Sequence, residues 1–222
     1  MNKQCLSYFA TILFILLIIA PGIAVAKDNT PGYTNVSACE AKKMIEKGNT
    51  FVLDVRTMAE FKAAHIKGAT LIPFKNVPLH DPIILSDDKL LPARINEVPK
   101  DKKIIVYCKT GGRSLNASKL LVEKEYTNVY NMQGGIPAWI DARYSVVSTF
   151  VDESDVDSCT KKVLNAKINC ALLHLKRGND NKAKQELDKF ACFVNTTERV
   201  NRISSSQAEY LRHEAELIKE MI

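Results

Sequence analysis

Between Val36 and Tyr144, short apolar runs of strand character alternate with stretches of helical periodicity, and this alternation leaves few folds open to the chain. "FVLDV" (Phe51 to Val55), "ATLIP" closing at Pro73, "KIIVYC" ending at Cys108 and "NVYNM" (Asn128 to Met132) read as strands. Between them, "SACE" (Ser37 to Glu40) and "TMAE" (Thr57 to Glu60) carry capping-box signatures, and Gly48 stands where the first helix should end. "RSLNASKLLVEKE" and "GGIPAWIDA" supply two further helices. Strands that each return after a helix lie parallel in one sheet, with helices on both faces. The expected fold class is α/β, a doubly wound parallel sheet over residues 33–146, with an irregular proline-rich stretch from Pro73 to Pro99.

From residue 145 the composition shifts to Ser, Val, Asp and Glu, and 147–157 reads as a linker. Beyond it the pattern is helical. Val156, Cys159, Val163, Ala166, Cys170 and Leu173 share one face of a first helix that ends at Gly178. Ala183, Leu187, Phe190 and Val194 stripe a second. "SSSQ" (Ser204 to Gln207) caps a third, with Ile203 and Ala208 set as a hydrophobic staple. Its stripe is Ala208, Leu211, Ala215, Ile218 and Ile222. Residues 158–222 are expected to form a small all-α bundle.

Residues 1–26 have the make-up of a cleaved signal peptide: Lys3, an apolar run from Leu6 to Ala20, a break at Pro21 and Gly22, then Ala24, Val25 and Ala26. The apolar run is roughly 15 residues, short of the ~20 that a spanning helix needs. The expectation is an exported protein, periplasmic or secreted, touching a membrane only if this segment stays uncleaved. Without Lys3, 30 basic residues face 25 acidic ones. They are dispersed, with no basic stripe or aromatic ladder, which argues against a nucleic-acid footprint.

The chemistry converges on "YCKTGGRS". Cys108 should stand at the carboxyl end of a central parallel strand, where open α/β sheets place ligands. The chain then turns through Lys109, Thr110, Gly111 and Gly112, and Arg113 and Ser114 open the next helix. Glycines let successive amides turn inward around one point, and the helix N-terminus adds partial positive charge. Arg113 and Lys109 add whole charges. Each of these favours thiolate over thiol at Cys108. The reading needs the Cys108 side chain to be reachable from solvent.

At these residues the chain resembles a single rhodanese domain. "LDVRTMAEFKAAHIKGATLIP" (Leu53 to Pro73) is similar to the family's first motif, with Asp54, Arg56, Glu60, His65, Ile66, Gly68 and Ala69 in register. "YCKTGGRS" resembles its active loop, and "NMQGGIPAW" (Asn131 to Trp139) its closing motif. The resemblance implies sulfur transfer through a persulfide, with Cys108 as nucleophile and carrier and the amides of Lys109 to Arg113 as cradle. Arg113 would brace the loop or the donor anion. It also implies a small sulfur donor, a thiophilic acceptor and no cofactor. Related phosphatase and arsenate-reductase loops place five residues between cysteine and arginine, against four here, so sulfur transfer is favoured over phosphoryl chemistry. The tail segments "LKRGNDNKAKQELDKF" and "ISSSQAEYLRHEAELI" resemble small helical FIMAH-type modules appended to exported proteins. That suggests attachment or a protein partner met through the C-terminal helices.

Asp54 and Arg56 are read as a supporting ion pair or cap, His65 as a hydrogen-bonded structural residue, and Trp139 as a core anchor. His80, His174 and His213 are scattered and no two cysteines share a short spacing, so no metal site is assigned. Cys39, Cys108, Cys159, Cys170 and Cys192 remain after the leader. Cys170 and Cys192 flank the turn at Gly178, which leaves open a bridge between them, a second joining Cys39 to Cys159, or free thiols. The leading function is an exported sulfurtransferase. The alternative is a non-catalytic rhodanese-fold binding module or sulfur carrier working through its helical tail.

Overall fold

Side chains alternate across the central strand, and this sorts the molecule into two layers. The computed structural model describes residues 32–77 and 83–222. The expected leader, His80 and part of the proline-rich stretch lie outside the described residues. The sheet runs from edge to edge as β1 (Tyr33–Val36), β6 (Val129–Met132), β5 (Lys103–Tyr107), β2 (Thr50–Asp54) and β4 (Thr70–Leu71), every pairing parallel. A separate antiparallel pair joins β3 (His65–Ile66) to β7 (Val146–Val147).

Along β5, Ile104 and Val106 face one side with Cys108, while Ile105 and Tyr107 face the other. The first layer gathers Leu53, Val55 and Ile72 under α3 (Leu91–Arg94) and α4 (Gly112–Glu123), whose Ala117 and Leu121 are fully buried. Tyr126 fastens the irregular segment there, its hydroxyl donating to the carbonyl of Ile95 at 2.6 Å. The opposite layer holds α1 (Ala38–Glu46), α2 (Met58–Ala63) and α5 (Gly135–Asp141). This is a doubly wound α/β sheet.

Local chemistry fixes the helix starts. Ser37 with Glu40, Thr57 with Glu60 and Ser204 with Gln207 each form a complete reciprocal capping box. Gly48 follows α1 at φ +78, a conformation open to glycine, and its amide bonds the Ile45 carbonyl at 3.1 Å. Trp139 is buried as an anchor, its indole N–H donating to the Ser145 carbonyl at 3.1 Å.

The stretch expected to be a linker does not behave as a free tether. Its first residue, Val147, pairs with His65 in the β3–β7 ladder, and it forms the short helix α6 (Phe150–Glu153), with Phe150 and Val151 buried in the same core as Ile105 and Trp139. Three helices follow: α7 (Ser158–Lys176), α8 (Asp180–Arg199) and α9 (Ser205–Lys219). The inner stripe of α8 is Ala183, Leu187, Phe190 and Val194, and that of α9 includes Ala208, Leu211, Ala215 and Ile218.

The face expected for α7 needs correction. Thr160, Leu164, Ile168, Ala171 and Leu175 point inward, while Val163 is 37% and Leu173 42% exposed. The helix carries apolar residues on two adjacent stripes about 100° apart, and packing selects the one holding Leu164, Ile168 and Leu175. Of the alternatives left open for the cysteines, the structure has free thiols. Among the described residues all five cysteines are free. Cys192 is exposed, two positions and so about half a turn from both Phe190 and Val194, and therefore faces away from the α7 interface. Cys39 and Cys159 are also exposed free thiols.

Phe190 meets Phe150 edge to face at 5.8 Å, joining tail to sheet layer. Phe190→Ala should cost about 3–5 kcal/mol, read as a lower urea midpoint.

Candidate active site

Cys108 leaves the end of β5 and its side chain turns toward the start of α4. Gly111 is the N-cap of that helix, at φ +109, and its amide donates to Cys108 Sγ at 3.1 Å. The thiol also reaches Ser114 Oγ at 3.5 Å, and that hydroxyl donates to the Gly111 carbonyl at 3.0 Å. The sulfur therefore lies at the positive end of a 12-residue helix, with an amide aimed at it. Of the loop residues expected to form the cradle, Gly111 makes this bond, while Thr110 and Gly112 are exposed at the surface.

Both loop cations are engaged by carboxylates. Arg113 makes a two-pronged pair with Glu60, at 2.7 and 2.6 Å. Burial works against charge at Glu60, yet the hydrogen bonds and charge of Arg113 outweigh it and hold the carboxyl below its usual range. Lys109 Nζ pairs with Glu220 at 2.7 Å, across 111 residues of chain.

Asp54 and Arg56 support the floor of the site from β2. They form a fully buried ion pair, the guanidinium donating to the carboxylate at 2.6–3.0 Å and to the Ala64 carbonyl at 2.7 Å. Burial opposes charge on Arg56, but Asp54 prevails and holds it above the ordinary arginine value. The guanidinium also lies 5.3 Å from the Tyr107 ring centre. His65 is structural: it stacks on Phe61 at 3.8 Å with Nδ1 at 2.8 Å from the Phe61 carbonyl, and burial lowers its pKa.

The closing motif braces the loop from behind. Ile136 donates its amide to the Cys108 carbonyl at 2.9 Å. Gly135, at φ +61, comes so close that a Cβ there would stand 2.3 Å from the Lys109 carbonyl oxygen and 2.4 Å from that of Cys108. Both contacts are backbone, so neither side can yield without moving the loop. Gly135→Ala should displace the cup and change the rate of Cys108 alkylation followed by peptide mass, while that of Cys39 stays unchanged.

The requirement for a reachable thiol is not met in this conformation. Cys108 is only 1% exposed. Beside the loop, Arg56, Glu60 and Lys109 bound a space that Leu217 and Met221 close, leaving no room for a water. Met221 Sδ lies 3.6 Å from Arg56 Nη1. Four contributions were missed in the sequence: Ser114 beside the sulfur, Glu60 as partner of Arg113, Gly135 as a brace, and the Leu217–Met221 turn as a cover. Glu60 was visible as a capping residue, and Ser114 adjoins the motif. Nothing local marks Glu220 or Met221.

Residues 37–142 match the rhodanese-like domain family, and residues 140–220 match the FIMAH domain. A sulfurtransferase of Allochromatium vinosum is 31% identical over 99 residues, 45% of this chain and 79% of the relative. Rhodanese-like domain-containing protein 17 of Arabidopsis thaliana is 33% identical over 141 residues, 61% of this chain and 85% of the relative. Thiosulfate sulfurtransferase 18, also of Arabidopsis thaliana, is 32% identical over 116 residues, covering 50% of this chain and 82% of that protein. The doubly wound sheet with a cysteine at a helix N-terminus defines the class, and this chain belongs to the rhodanese-like family.

Proposed function

We propose that this protein is a sulfurtransferase that carries sulfane sulfur from a donor such as thiosulfate to a thiophilic acceptor as a persulfide on Cys108. The observation behind the reading is the Gly111 amide, 3.1 Å from a sulfur that ends the central strand at the start of α4. Relatives named sulfurtransferase and thiosulfate sulfurtransferase support it.

In the first step the Cys108 thiolate attacks the outer sulfur of thiosulfate. The new S–S bond forms as the old one breaks, and sulfite departs with the electron pair. The negative charge now rests on the terminal persulfide sulfur, within reach of the loop amides. In the second step an acceptor such as cyanide attacks that sulfur, leaves as thiocyanate and returns the Cys108 thiolate. Atoms and electrons balance without a cofactor, and the scheme is ping-pong. Lys109 and Arg113 would steer an anionic donor. The segment 1–26 supports export, to periplasm or medium, and the helical tail would be the contact for a protein partner.

Intact-mass measurement of the full chain after thiosulfate treatment is the test. Gain of one sulfur atom, discharged by cyanide, is the expected result; no adduct with any sulfane donor would defeat the reading. The covered thiol favours a second reading, a rhodanese fold serving as a binding module, which that negative result would leave standing.

A further inference from the structure

We infer that the last turn of α9 and the residues after it, from Leu217 to Met221, form a gate that closes the Cys108 site, and that sulfur exchange requires it to open. The inference rests on Cys108 acting as sulfur carrier. Three contacts converge on the closed arrangement. Glu220 holds Lys109, the residue next to Cys108, at 2.7 Å. Met221 is buried against the Arg56 guanidinium. Leu217, also buried, completes the wall opposite Glu60 and Lys109. In this arrangement Cys108 is 1% exposed, and the space bounded by Arg56, Glu60, Lys109, Leu217 and Met221 beside its loop has no room for a donor anion.

The gate is the turn and not the whole helix. Ala208 and Leu211 are fully buried, and α9 packs on both α2 and α8, so the helix body stays where it is. The helix ends at Lys219, and helix ends are the parts that fray. Its polar latch is weak by construction. The Lys109–Glu220 pair is 22% and 50% exposed, a setting in which ion pairs contribute little and salt screens them. Lys109 is thus shared: it serves Glu220 in the closed form and is freed for an incoming anion in the open one.

The test uses the full chain and needs no sulfur chemistry. Cys108 alkylation by iodoacetamide is followed by peptide mass, which separates it from the other cysteines. Glu220→Lys sets two ammonium groups against each other while keeping a cation at a helix carboxyl end, where the dipole favours it. It should speed Cys108 alkylation up to about fivefold, the size of a half-exposed pair. Met221→Ala should speed it as well. Rising salt should accelerate the wild type and slow Glu220→Lys, so that the two rates converge. Equal rates in all three proteins would overturn the gate. So would an equal acceleration by Phe190→Ala, because exposure would then follow global unfolding. Faster alkylation with no sulfur adduct in any variant would keep the gate and defeat the transferase reading instead.

Discussion

Serine in place of Cys108 should leave a folded protein with no measurable sulfur transfer. The substitution is mild structurally: the buried hydroxyl inherits the Gly111 amide and the Ser114 hydroxyl as partners, so no polar group is stranded. Chemically it removes everything. An alcohol is essentially un-ionised at neutral pH and has no stable way to carry a sulfane sulfur, so loss is expected at about a thousandfold or more, down to background. Thiocyanate production and intact mass should both read zero, with the urea midpoint close to wild type. Residual turnover in the serine variant would mean that another thiol carries the sulfur. Cys39, Cys159 and Cys192 are exposed and would be the ones to examine.

A large stability effect is expected at Arg56. Its charge and that of Asp54 are both withdrawn completely from solvent and satisfied almost entirely by each other. Arg56→Met would strand a buried carboxylate, and breaking such a pair costs about 3–5 kcal/mol. That is a large share of the ~5–15 kcal/mol by which domains are stable. Adding Asp54→Asn should recover much of the loss. It removes the orphaned charge while keeping an acceptor for the residue 56 amide, which bonds Asp54 at 2.9 Å. Urea titrations of the single and double variants give the comparison, and a single-variant cost under about 1 kcal/mol would mean that water reaches the pair.

Features written in short-range chemistry were legible before any coordinates. The three capping boxes depend on residues three apart, and the cup depends on seven consecutive residues ending in a helix start. The inner stripes of α8 and α9 were equally plain, because each helix has a single apolar face. The α7 face was misread because that helix offers two, and only contact with its neighbours selects between them. The segment 147–157 looked like a tether because its apolar burial comes from two residues, Phe150 and Val151, too few to make a period. The cover over the loop was out of reach for a different reason. Lys109 and Glu220 are joined over 111 residues, and Arg56 and Met221 over 165, with no local pattern to announce either.

One apolar core runs without a break from Val36 and Ile105 through Trp139 and Phe150 to Phe190 and Ile218. On the ribosome, the sheet would emerge with Trp139, Ile140 and Phe150 still unroofed, awaiting some 65 residues yet to be made. Such a nascent intermediate is a natural client for chaperones. A fragment stopped at residue 147 would inherit the same sticky flank permanently.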